Sequence, residues 1–162
     1  MTDRRLPDEL QNILVLNEDR VAKAQRIAET IREAGAYRWV GIYDVNTRSG
    51  LVSNIAWSGP NAPAYPVFPI TKGLTSRAIT DRKTVNVGDV ASDPSYLTAL
   101  DGTRAEIIVP VLDDAGDHVI GTIDVESDHL NAFDSTAQAL LEECAEVLAN
   151  FCTGGNLSTI DR

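Results

Sequence analysis

Long apolar runs, cysteines and clustered basic residues are scarce in this chain, and each shortage removes a class of function. No stretch approaches the roughly 20 apolar residues that a membrane span needs. The N-terminal MTDRRLPDEL has no apolar region behind its arginines, so no export signal is expected. Only two cysteines occur, Cys144 and Cys152, both near the C-terminus. That is neither a disulfide framework nor a metal-ligand cluster, and it suits a reducing cytoplasm. Between Asp89 and Glu143 there are 13 Asp or Glu against a single Arg, which accounts for all of the excess behind the net charge of −10. Without a basic stripe, neither nucleic acid nor an anionic membrane surface is an expected partner.

What is present describes one globular domain. A chain of 162 residues can bury roughly 70% of the surface its unfolded form exposes. Hydrophobic residues at 43% and charged residues at 23% are ordinary for such a domain. There is no internal repeat and no low-complexity stretch.

Helical spacing predicts one long helix or a kinked pair over 9–34, through Val21, Ala24, Ala28 and Ile31 with Ile27 beside them, stopped by Gly35. The aromatic and β-branched run 37–45, the turn NTRSG and the run 51–57 predict a hairpin. Residues 58–69 hold four prolines in twelve residues and predict an irregular loop. A short helix over 74–82, a strand over 84–90 and a second loop over 91–103 with a helical turn near Tyr96 follow. Residues 105–112 and 118–127 predict another hairpin, and 135–151 a final helix. Ser135 and Gln138 suggest its capping box, while Leu140, Leu141, Cys144, Val147, Leu148 and Phe151 form its apolar stripe. The expected layout is an N-terminal helical segment (1–34), a core domain (35–151) and a loose tail (152–162). Short connections and hairpins favour an α+β fold on an antiparallel sheet, with the terminal helices together on one face.

One stretch stands out. In GTIDVES (121–127), Asp124 and Glu126 alternate with Ile123 and Val125, so a strand would set the two carboxylates side by side. Glu106, on the neighbouring strand of the hairpin, is expected on the same face. Such acids are either a wet outer surface or the floor of a pocket. Crowded and partly desolvated carboxylates repel and call for a cation: an ammonium, a guanidinium or a metal. No histidine joins the group, which points away from a metal, although oxygen alone can hold hard cations. Trp39 and Tyr43, four apart on one strand, share a side. Packing in the core is their default, and an aromatic and acidic cage is the alternative. His118 and His129 read as surface residues. Ser76, Thr75 and Ser127 have no histidine placed to activate them.

Taken in order, RWVGIY (38–43), WSGP (57–60), KGLTSRA (72–78), VNVGDV (85–90), RAEIIVPV (104–111), VIGTIDVES (119–127) and NAFD (131–134) resemble the GAF domain family. More narrowly, they resemble its small stand-alone members, the free methionine-(R)-sulfoxide reductases. The resemblance covers about residues 35–150. It implies a single α+β domain with a central antiparallel sheet, the N- and C-terminal helices packed on one face and a ligand pocket on the other, commonly dimeric through those helices. It also implies that Glu106, Asp124 and Glu126 hold an amino group and that Trp39 and Tyr43 help close the pocket. The reductase chemistry needs a thiolate that attacks sulfur and is then resolved as a disulfide. By motif spacing, the places of that family's cysteines are Val67, Thr75 and Ala99, so the family's activity is not expected to carry over. NAFD also differs from the NKFDE of cyclic-nucleotide-binding GAF domains at Ala132 and Ser135, and an acidic pocket repels phosphate.

The reading that follows is a small-molecule-binding sensor or carrier for an amino-bearing or cationic metabolite, with no cofactor and no metal. Any signal is expected to pass through a homodimer or a separate signalling partner. One alternative is an enzyme on the same pocket, either a cysteine-independent acid/base catalyst or a divergent reductase relative. Another is a dimeric interaction module without a ligand.

Overall fold

The structure, a computed structural model, describes residues 4–97 and 102–152. Its N-terminal helical segment is two helices, α1 (Arg5–Leu14) and α2 (Arg20–Gly35). Of the expected long helix or pair, the pair forms, and Asp19 caps α2, its side chain accepting from the Ala22 backbone N–H at 2.8 Å. Ala24, Ile27, Ala28 and Ile31 are buried as the spacing predicts, but Val21 falls off the stripe and is 58% exposed. The helix does end at Gly35, yet the left-handed residue is Ala36 (φ 51°). Gly35 serves packing instead, since a Cβ there would lie 2.1 Å from the Tyr37 ring.

Six strands follow the order β3-β2-β1-β6-β5-β4, every neighbouring pair antiparallel. They are β1 (Trp39–Asn46), β2 (Leu51–Ser58), β3 (Val67–Pro69), β4 (Val85–Val87), β5 (Ala105–Leu112) and β6 (Val119–Ser127). The proline-rich segment is thus not wholly irregular: its last residues, Val67 included, form the edge strand β3. Proline is tolerated there because an edge strand has a side that needs no ladder donor. Helix α3 (Gly73–Asp81) and a 3-10 turn (Val90–Ser92) lie between β3 and β5. Helices α4 (Ser135–Val147) and α5 (Ala149–Cys152) end the described chain. Asp134, not Ser135, caps α4, accepting from the Ala137 N–H at 2.8 Å. Cys152, placed in the tail by sequence, closes α5 and is buried; the rest of that tail lies outside the described residues.

The strand period divides the sheet cleanly. Val40 and Ile42 of β1, Ile107 and Val109 of β5, and Ile123 and Val125 of β6 face α1, α2, α4 and α5 in the main core. Buried aliphatic side chains of this kind contribute about 1.5–3 kcal/mol each. The opposite face carries Trp39, Gly41 and Tyr43 of β1 beside Asp124 and Glu126 of β6, with Glu106 and Ile108 of β5 alongside. Helix α3 lies on this second face, its Leu74 and Ala78 packing on Ile108.

Gly41 lets the aromatic pair close over the acids. A Cβ at this position would lie 2.4 Å from the Trp39 ring and 2.8 Å from that of Tyr43. Gly41→Ala should therefore destabilise the fold by about 1–3 kcal/mol through overpacking, measured by chemical denaturation. An unchanged midpoint would mean that the two rings move aside freely.

Candidate functional site

The register brings the three predicted carboxylates together. Glu106 lies directly across from Glu126 in the β5–β6 pair, and Asp124 is two residues along on the same face of β6. Oxygens from all three lie within 4.8 Å of one another. None is a wet surface group: Glu106 is 3% exposed, Asp124 6% and Glu126 0%. Asp124 Oδ1 and Glu126 Oε2 have no hydrogen-bond partner. The Thr103 hydroxyl donates to Glu126 Oε1, which fixes that carboxylate in one orientation. Thr103 was not singled out from sequence, because its loop carries no periodic signal.

A cavity of about 20 Å³ meets this floor, lined in part by Tyr43, Glu106, Asp124, Ile108 and Thr75. Tyr65 and Phe68 from the proline-rich segment and Leu97 from the second loop line it as well. It has room for about one water molecule. Of the predicted aromatics, Tyr43 lines the cavity, whereas Trp39 stands behind it, fully buried, with its indole N–H donating to the Asn61 carbonyl at 3.0 Å. Glu126 does not line the cavity itself, but its carboxylate lies beside the two that do. Tyr43 stacks obliquely on Trp39, centroids 6.5 Å apart, and edge-on to Phe68 at 5.9 Å. A larger depression of about 690 Å³ lies elsewhere, against α4, and holds none of the predicted residues.

Burial governs the electrostatics. Desolvation, then the charges of its two neighbours, pushes Glu106 well above the usual carboxyl range. Burial also raises Asp124 to about 6. Glu126 is raised to about 8 by burial and by Asp124, although Thr103 and the Arg38 charge oppose the shift. Tyr43 is held neutral, chiefly by burial and then by the acids beneath it. At neutral pH the cluster thus shares few negative charges among six oxygens, and an arriving cation would draw out more.

Both thiols lie across the sheet from these acids. Cys144 is part of the helix-side core, and the Cys152 sulfur sits against Gly121, which shares the face of Ile123. Burial pushes each thiol up to about 12. Of the three positions aligned with reductase cysteines, Thr75 lines the cavity, Val67 is 53% exposed in β3, and Ala99 lies outside the described residues.

Comparison with known proteins settles the family. The GAF domain profile matches residues 19–151, most of the chain. This chain belongs to the GAF domain family. Among curated proteins, this GAF chain is 27% identical over 142 residues to GAF domain-containing protein A of Dictyostelium discoideum, covering 88% of this chain and 87% of that one. It is 26% identical over 116 residues to the free methionine-R-sulfoxide reductase of Saccharomyces cerevisiae, covering 70% and 62% of the two chains. Among solved structures, the free methionine-R-sulfoxide reductase of Neisseria meningitidis in complex with its substrate superposes with a TM-score of 0.82. That match has 31% identity and covers 96% of this chain and 90% of the other. No helix among the described residues is long and apolar enough to cross a membrane.

The buried acids of this GAF domain make its stability depend on pH. Their folded-state values lie above those of the unfolded chain, so the native state holds extra protons, and their contribution is lost as pH rises. The loss should begin near pH 4, where the unfolded acids ionise, and continue through pH 6 and pH 8, the values of Asp124 and Glu126. Tm should fall by several degrees from pH 5 to pH 8, and Glu126→Gln should flatten part of that fall. A Tm that rises steadily to pH 8 would contradict protonated acids in the native state.

Proposed function

We propose that the protein is a small-molecule-binding GAF domain whose ligand carries an ammonium group, held by Glu106, Asp124 and Glu126 beneath Tyr43. The observation that carries this reading is the trio of buried carboxylates with two oxygens lacking any donor. An ammonium brings donors and a positive charge at once, and Tyr43 can add a cation–π contact. Similarity to a reductase solved with its substrate makes free methionine sulfoxide and related amino acids the first ligands to try. The role is that of a sensor or carrier. Both thiols are buried, held as neutral thiols and placed on the far side of the sheet, so neither can supply the reductase's attacking thiolate. Exposed Val15 (83%) and Val21 (58%), at and just beyond the turn between α1 and α2, support a homodimer through the terminal helices. A separate signalling partner would read the bound state.

The acid values favour a second reading. Asp124 near 6 and Glu126 near 8 bracket neutrality, as a general base and general acid would. An enzyme on the same pocket would use these two for proton transfer.

A thermal-shift screen against methionine sulfoxide, free amino acids and polyamines tests both, with mass analysis of each mixture. A ligand at about 100 times its Kd should stabilise the fold by about 2.7 kcal/mol. Asp124→Asn should then weaken it by about 2 kcal/mol or more, roughly thirtyfold in Kd. A hit recovered unchanged supports the sensor, and a consumed hit supports the enzyme. Absence of any shift across the panel would sink the ammonium reading.

A further inference from the structure

Like charges directly across an antiparallel pair destabilise it, yet Glu106 and Glu126 face each other there with Asp124 beside them. A single organic ammonium has three N–H donors and one charge, whereas this floor offers six carboxylate oxygens, all from hard donors. Asp124 Oδ1 and Glu126 Oε2 remain without a donor although both side chains are more than nine-tenths buried. Glu126 cannot turn away, because its other oxygen is engaged by Thr103.

Size and donor type narrow what could fill the gap. Calcium binds oxygen at 2.3–2.6 Å, so ligands on opposite sides of the ion stand about 5 Å apart; magnesium at 2.0–2.1 Å spans only about 4 Å. Oxygens within 4.8 Å of one another can meet on either ion, and calcium is favoured because its flexible shell takes carboxylates through one or two oxygens, whereas magnesium demands near-ideal octahedral geometry. No nitrogen or sulfur joins the group, which disfavours zinc and copper. The adjoining cavity of about 20 Å³ holds one water-sized particle, so an ion there sits directly on the carboxylates.

We propose that Glu106, Asp124 and Glu126 form an all-oxygen site for a calcium-sized divalent cation, with Thr103 as the positioning residue. The ion occupies the same floor as the ammonium group and competes with it. This inference rests on the floor being a cation site, as the ammonium reading does, but not on any organic ligand.

Terbium, a calcium-sized luminescent ion, tests it on the full chain, because Trp39 and Tyr43 stand close enough to sensitise its emission. Titration should give emission that saturates at one ion per chain and is displaced by Ca²⁺ at concentrations at least tenfold below those needed with Mg²⁺. Asp124→Asn and Glu126→Gln should abolish the saturable emission while circular dichroism shows them folded. Thr103→Val, which leaves every ligand in place, should weaken Ca²⁺ about tenfold or more. Emission that never saturates, or that persists in both carboxylate variants, would assign the ion to surface acids and overturn the proposal. Amine stabilisation without Ca²⁺ or Tb³⁺ binding would defeat this inference alone. Ca²⁺ binding without any amine effect would defeat the ammonium reading alone.

Discussion

The two-residue period of β1, β5 and β6 governs both the stability and the site of this protein. On one face it gathers Val40, Ile42, Ile107, Val109, Ile123 and Val125 under the helices, where apolar burial holds the domain together. On the other it must then deliver Trp39, Gly41 and Tyr43 next to Asp124, Glu126 and Glu106. A slip of one residue in any of these strands would put carboxylates into the helix core and isoleucines into the cavity. The apolar face thus holds the acids in a register that they would not adopt on their own.

That arrangement explains why the acidic face is closed and unusual at once. Three carboxylates with so little water around them cannot all carry charge, so protonation is the resting solution and a cation is the alternative. Trp39, Tyr43 and Phe68 close the face from one side and α3 with Leu97 from the other. The same apolar side chains that cover the acids raise them by desolvation. The thiols stay in the core on the opposite side of the sheet.

Much of this was legible in the residues. The alternation in GTIDVES placed Asp124 and Glu126 on one side, and the hairpin placed Glu106 with them, because side-chain direction in a strand follows from covalent geometry alone. Boundaries were less legible. Asp19 divides the N-terminal helical segment and Asp134 takes the cap expected of Ser135, since which of several polar residues caps a helix depends on where the chain arrives from. Val21 fits a helical stripe in sequence yet is exposed, because α2 presents a narrower face to the sheet than its periodicity allows. Val67 entered an edge strand because prolines are excluded only from strands paired on both sides.

By itself the sequence determined the α+β family, the charge, the shortage of thiols and the face on which each acid lies, all of which follow from composition and local period. Only the tertiary structure decided that these acids are buried, that Tyr43 meets the cavity while Trp39 stands behind it, and that Thr103 orients Glu126. Those outcomes depend on Asn61, Tyr65, Phe68, Leu97 and Thr103 reaching back to the sheet. Contacts between segments so far apart in the chain leave no periodic mark on either one.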